Sequence, residues 1–336
     1  MNLNKLFTFL CLSLLIQFSA HKTFAQSTKW RFEADKMGSP FIITIQGTDS
    51  IQASKLAVKS LQLTDSLIHI FSDYDSTSEV SFINLNAFVD TVSISPLMEE
   101  LLKIAQEAYY KSGGTYNIAI GPLSVLWRAA RANKQFPSKE QVETAKNNCH
   151  FNDLEMDTIK HTIHFRKKGM RIDFGGLGKG FIGQKIIDYL KSNGINHCMI
   201  DAGGKIETAT PNYSDAKWKI GINKLESKSE ILPKVIQLKN EAIASSGAIY
   251  QFYIFKGKKY GHIINPNTGY GITQPKNVTI IANNGVLADW LATACSILSV
   301  DKAMKLIKDS HAEGLIAVRE KHKIKYYKSN QFESYF

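Results

Sequence analysis

Cysteine is scarce in this 336-residue chain: there are four, at positions 11, 149, 198 and 295. None belongs to a CxxC pair or to a metal-binding spacing, which excludes a thioredoxin-like redox motif and a zinc finger. Cys11 falls in an N-terminal segment expected to be removed. Three cysteines then remain, at most one bridge can form, and a disulfide framework is excluded. Cys198 and Cys295 stand in apolar segments and read as core. Long apolar runs are also missing. After residue 18 no stretch approaches the length that crosses a bilayer. Repeats and low-complexity linkers are absent. So is a cluster of like charge, although Lys and Arg number 41 against 30 Asp and Glu. The nearest thing to a basic run, residues 319–328, is interrupted by apolar and aromatic residues as a strand would be. The excess of lysine therefore reads as solvated surface, and nucleic acid is set aside as a partner.

What is present begins with residues 1–25. Lys5 gives a short basic start, residues 6–18 form an apolar core, and Thr23-Phe24-Ala25 offers small residues at a cleavage spacing. This is the pattern of a signal peptide. Cys11 lies inside the apolar run rather than after it, which argues against a lipid anchor. Removing Lys5 and Lys22 takes the net charge from +11 to +9. The remaining residues, 26–336, suffice for one sizeable core, and no boundary cuts them cleanly into two domains.

Short strands and amphipathic helices alternate irregularly, which predicts an α+β fold rather than a regular βα array. Strands are expected at 41–46, 170–174, 198–201, 242–245, 250–255, 260–264 and 277–282. Helices are expected at 54–71, from Pro96 to the Gly113-Gly114 stop, at 122–132, at 180–193 and at 286–298.

Several segments carry chemistry. In Arg171-Ile172-Asp173-Phe174-Gly175-Gly176-Leu177-Gly178-Lys179-Gly180 a strand ends in an acid, a glycine turn follows, and a helix begins with a lysine beside it. Glycines let backbone approach a ligand, a helix N-terminus favours an anion, and Lys179 adds positive charge. The arrangement points to a phosphate. Within it, Gly178, Gly180 and Gly183 also fit G-x-G-x-x-G, with Asp201 eighteen residues on, close to a nicotinamide-dinucleotide fingerprint. The turn, however, starts at Gly175, so the glycines of that fingerprint would already lie in the helix.

On the helix at 286–298, Asp289 and Thr293 are four apart and share a face. A carboxylate and a hydroxyl amid apolar neighbours suit a hard cation such as Mg2+, or else a simple hydrogen-bonded pair. His262 precedes an Asn-Pro turn and is a structural residue or a proton acceptor. Tyr116, in a loop between helices, either stacks on a planar ring or packs. The segments around Met37 and from Phe71 to Ser81, read alone, are surface loops.

Taken in order, these segments resemble the ApbE family, the FAD:protein FMN transferases, from about Met37 to about Leu298. The marks are Met37-Gly38-Ser39-Pro40-Phe41, the Tyr74 loop with Glu79, Tyr116-Asn117-Ile118-Ala119-Ile120-Gly121-Pro122-Leu123, and Asp173 to Gly180. Ala244-Ser245-Ser246-Gly247, His262-Ile263-Ile264-Asn265-Pro266-Asn267-Thr268-Gly269 and Ala288-Asp289-Trp290-Leu291-Ala292-Thr293 complete the set. The resemblance implies one large α+β domain with mixed or antiparallel sheets and FAD in a cleft. It implies that Met37, Tyr74, Thr115, Tyr116, Asn117, Asp173 and Lys179 contact FAD. It also implies that Asp289, Thr293 and the carbonyl of Gly176 hold Mg2+, and that His262 stands near the reacting phosphate. The implied reaction moves FMN from FAD to a Ser or Thr of an acceptor protein, such as a subunit of a membrane redox complex, in or facing the periplasm. With water as acceptor the same site would be an FAD pyrophosphatase; without turnover it would be an exported FAD-binding protein. Two positions depart from the family pattern. Lys205 in Asp201-Ala202-Gly203-Gly204-Lys205 stands where an acid is common, and Asn265 stands where an Asp is common.

Overall fold

The computed structural model describes residues 28–225, 230–247, 252–321 and 323–336. The expected signal peptide lies outside them, as do the first two residues of the strand expected at 250–255. In chain order the elements are β1 (Lys29–Lys36), β2 (Ser39–Gln46), α1 (Ser50–Phe71), α2 (Glu79–Asn86), β3 (Val92–Ser93), α3 (Pro96–Lys111), α4 (Gly121–Asn133), α5 (Lys139–Lys146), β4 (Leu154–Asp157) and β5 (Thr162–Phe165). Then follow α6 (Gly178–Ser192), β6 (His197–Ala202), β7 (Lys205–Ala209), β8 (Trp218–Ile220), β9 (Ile236–Leu238), β10 (Ala242–Gly247), β11 (Phe252–Phe255), β12 (Lys258–Gly261), β13 (Lys276–Ala282), α7 (Gly285–Ile297), α8 (Val300–Asp309), β14 (Glu313–Glu320) and β15 (Lys323–Lys328).

Eight strands form the main sheet in the order β1-β2-β6-β7-β10-β13-β14-β15. Every adjacent pair in it is antiparallel. Alternation along the strands divides the core between two faces. Ala242, Ala244, Val278 and Ile280 join the large cluster under the helices, while Ile243, Ile281 and Leu315 pack with Phe332 in a smaller cluster on the other side. The antiparallel order removes the dinucleotide-fold reading, which needs parallel strands joined by crossovers.

Helix starts follow local chemistry. Asp49 caps α1 by accepting from Ile51 and Gln52 amides; Ser95 caps α3, with Pro96 at its first position; Ser138 and Gln141 make a capping box on α5. Helix α7 differs: ten of its thirteen residues are buried, as expected of a helix apolar almost all round. It lies against β10 and β13 with α6 beside it, and Asp289 is its one charged residue.

Three expectations change. Residues 170–174 form no strand. The Asn84 side chain brackets Ile172, accepting from its amide at 2.7 Å and donating to its carbonyl at 3.0 Å, and Asp173 N donates to Ile118 O. An amide side chain thus replaces a neighbouring strand. His262 lies just past β12 in a bend, because Gly261 is the last residue paired to β11. Residues 319–328 hold the end of β14 and the whole of β15, with Lys321 between them in a left-handed conformation. Cys149, Cys198 and Cys295 are buried free thiols; burial pushes Cys198 and Cys295 up to about 12. No helix of the described residues is long and apolar enough to cross a membrane.

Candidate functional site

Two tight turns lie side by side at one end of the sheet. Met37 and Gly38 join β1 to β2, and Gly203 and Gly204 join β6 to β7, all four with positive φ. Two-residue turns of this hand suit the twist of antiparallel strands. The pairing of Phe41 with Ala202 brings the turns together. A Cβ on Gly203 would stand 2.3 Å from Ser39 Oγ and 3.2 Å from Lys179 Nζ. Lys179, in the first turn of α6, donates to Ser39 Oγ at 2.8 Å. Burial lowers the Lys179 pKa and the ammonium of Lys205 lowers it further, while Asp289 and Asp201 act the other way. Asp201, which a dinucleotide fingerprint would turn toward a ribose, instead accepts from Gly204 N at 2.6 Å and closes its own turn.

Helices α6 and α7 meet through glycine. A Cβ on Gly180 would fall 2.1 Å from Gly285 O and 2.9 Å from Asp289 Cβ, so only glycine fits. This approach lets Gly180 N donate to Asp289 Oδ2 at 3.1 Å. Asp289 is 1% exposed. Its other oxygen, Oδ1, lies 3.1 Å from Lys205 Nζ, yet makes no hydrogen bond to any described residue. The ammonium therefore approaches outside the hydrogen-bond directions: the charges are paired and a lone pair is left over. Lys205 Nζ is held by donating to Ser245 O at 2.7 Å.

Thr293 Oγ1 donates to Asp289 O at 3.1 Å and lies 3.3 Å from where a Cβ on Gly176 would be. Thr293 thus touches both Gly176 and Asp289. Among the described residues no cluster of three His, Cys, Asp or Glu could hold a metal. One carboxylate with a spare buried oxygen, a hydroxyl and a backbone carbonyl is instead an all-oxygen donor set. It fits Mg2+, which takes one or two carboxylates and fills its remaining positions with water or phosphate oxygens.

The amides of the glycine block are largely occupied. Gly175 N donates to Asp173 Oδ1, Leu177 and Gly178 N donate to Phe174 O, and Gly180 N is held by Asp289. The block therefore presents the Lys179 ammonium rather than an open ring of amides.

Tyr116 is buried, with its ring 6.2 Å from that of Trp290. It also packs on Gly176, where a Cβ would meet Tyr116 Cε2 at 3.0 Å. Of the two readings open for it, packing is the one seen here. Its phenol has no hydrogen-bond partner among the described residues, and burial with the nearby Asp289 and Asp173 carboxylates pushes its pKa well up. Asn117 donates to Cys149 O and accepts from Ala119 N, so its side chain caps the short turn leading into α4. Thr115 is buried beside it.

Tyr74 is 79% exposed. Its ring is covered on one side by the Arg128 guanidinium, 4.4 Å from the centroid. Arg128 is itself paired with Asp73. Burial works against the Arg128 charge, but Asp73 more than offsets this and raises its pKa. Asp173, whose carboxyl is pushed up by burial and by Asp73, connects this group to the glycine block. Asp73 and Arg128 were missed from sequence: they lie 55 residues apart, with no local pattern joining them.

His262 is half-buried. Its segment is anchored where Gly269 O accepts from Trp127 Nε1 at 2.8 Å and where Gly261 N donates to Ile272 O. Asn265 accepts from Asn267 N in the following turn, the task an Asp would perform in the same place.

A family model described as the ApbE family matches residues 37–318. An FAD:protein FMN transferase of Treponema pallidum (strain Nichols) is 29% identical over 231 residues, covering 65% of this chain and 63% of that relative. One from Escherichia coli (strain K12) is 24% identical over 308 residues, covering 90% of this chain and 88% of the relative. The solved structure of the ApbE protein of Thermotoga maritima has a TM-score of 0.83 at 24% identity, with 92% of this chain and 99% of that chain covered.

Proposed function

The chain belongs to the ApbE family, and we propose that it is an FAD:protein FMN transferase, exported and working in or facing the periplasm after loss of residues 1–25. The observation that carries the reading is the junction of α6 and α7. There Lys179, Asp289, Thr293 and Gly176 converge beside the paired turns.

FAD is the substrate. A Ser or Thr hydroxyl of an acceptor protein attacks the FMN-side phosphorus, the bond to the bridging oxygen breaks, and AMP leaves with that oxygen. Asp289, Thr293 and the Gly176 carbonyl would hold Mg2+, which would supply positive charge at the pyrophosphate. Lys179 adds a second cation, fixed by its bond to Ser39. Met37 and the chain after it border this end. Tyr74, backed by Arg128, offers an open face on which a planar ring stacks. Asp173 and the loop of Thr115, Tyr116 and Asn117 form the wall between. His262 takes the proton of the attacking hydroxyl. Replacing His262 by Ala is expected to slow transfer about a hundredfold or more while FAD affinity, measured by fluorescence titration, stays nearly constant. Equal loss of both would make His262 a binding or structural residue.

The reading is tested by incubating the protein with FAD, Mg2+ and a candidate acceptor, then weighing the acceptor by mass spectrometry. An FMN adduct that disappears when the acceptor's hydroxyl is replaced supports it. Release of AMP with no adduct on any acceptor tried would make the protein a hydrolase.

A further inference from the structure

Asp289 has two carboxylate oxygens and only one of them is free for a cation. Oδ2 is taken by Gly180 N. Oδ1 makes no hydrogen bond to any described residue, but Lys205 Nζ already stands 3.1 Å from it. Lys205 does not drift there from solvent. Its side chain is 14% exposed, its backbone is fixed opposite Ala244 in the sheet, and its ammonium is tied to Ser245 O at 2.7 Å. A lone carboxylate buried in an apolar helix needs such a partner. The same oxygen cannot serve an ammonium and a divalent cation without strong repulsion between them, because little water remains to screen it.

We infer that Lys205 is the resident counter-ion of Asp289 and competes with the divalent cation for Oδ1. Metal binding therefore depends on arrival of the pyrophosphate, whose negative charge satisfies both cations. Lys205 is here a positioning and affinity-setting residue, not a catalytic one. Without FAD the protein holds its carboxylate paired and its metal weakly; with FAD the ammonium and the metal share a substrate that carries charge enough for each. This inference rests on the reading of Asp289, Thr293 and Gly176 as metal ligands.

The test is binding of Mn2+ in the absence of FAD, followed by the electron paramagnetic resonance signal of the free ion, in the full mature protein. Lys205→Met is expected to bind Mn2+ about tenfold or more tighter than wild type, the scale of a close charge pair. Lys205→Arg, which keeps the charge, is expected to bind as weakly as wild type. Thermal melting identifies a variant that fails to fold, and Lys205→Gln then replaces the Met variant. Lys205→Met binding no tighter than wild type, or Lys205→Arg tightening as much as Lys205→Met, overturns the inference. Asp289→Asn separates the two levels. If it abolishes Mn2+ binding while Lys205→Met changes nothing, the metal site stands and only the role of Lys205 fails. If it leaves Mn2+ binding untouched, the metal site and the inference fall together.

Discussion

Asp289 is proposed as a metal ligand at the pyrophosphate and Tyr74 as a platform for the ring of the same FAD, yet one is 1% exposed and the other 79%. The end proposed for the phosphates is built around one buried carboxylate, Asp289, and two half-buried ammonium groups, Lys179 and Lys205, each tied in place. Asp289 has the Gly180 amide and Lys205; Lys179 has Ser39; Gly180 and Gly285 allow two helices to touch. The ring end is one aromatic face on a loop, held by one guanidinium that one carboxylate fixes. Chemistry at phosphorus depends on charges that do not move. Stacking tolerates a mobile partner. The two ends should therefore fail differently: the buried end in turnover and fold, the exposed end in affinity alone.

The largest effect should come from Asp289→Asn. It keeps the shape and the Gly180 contact but removes the charge. A loss of turnover of about a thousandfold is expected, with a lower melting temperature as well, because the Lys205 ammonium is left without its counter-ion. Retained turnover would mean that the buried end does not carry the chemistry. Next comes Gly180→Ala, whose methyl group meets backbone at Gly285 O rather than a movable side chain. A stability loss of about 3 kcal/mol is expected in denaturant unfolding; a melt like that of wild type would show that α6 and α7 part easily.

Glu207 gives a smaller, pH-dependent effect. It is buried under the start of α7, where it accepts from Gly285 N, and burial pushes its pKa up from 4.5 to about 8. A carboxyl raised on folding favours the native state fully below 4.5, and that contribution is lost as pH rises through about 8. Wild-type stability should fall across that window. Glu207→Gln should flatten the fall, and an unchanged pH profile would place the titration elsewhere. The smallest effect is expected for Tyr74→Ala: KM for FAD raised about tenfold, the scale of one lost stacking contact, with kcat and melting retained. A drop in kcat instead would mean that the exposed end shapes the reaction too.

The buried end was also the more readable in sequence. Glycines at 175–180 and the Asp289/Thr293 spacing announce close backbone approach and a shared helix face, because both are local regularities. The start of α6 at Gly178 matches the expectation that the turn begins earlier than a dinucleotide fingerprint allows. What escaped is non-local. Asn84 takes the place of a strand beside Ile172 across 88 residues, and no periodicity records it. Arg128 reaches Asp73 across 55. Lys205 stood out as a charge of unexpected sign, but its pairing with Asp289 emerges only when β7 is laid beside β10 and α7 above both.

The most direct test counts products. With FAD, Mg2+ and an acceptor protein bearing the reactive hydroxyl, AMP released is measured against FMN bound covalently. One AMP for each adduct is expected. AMP accumulating without adduct, at the same rate whether or not the acceptor is present, would contradict transfer and leave only hydrolysis.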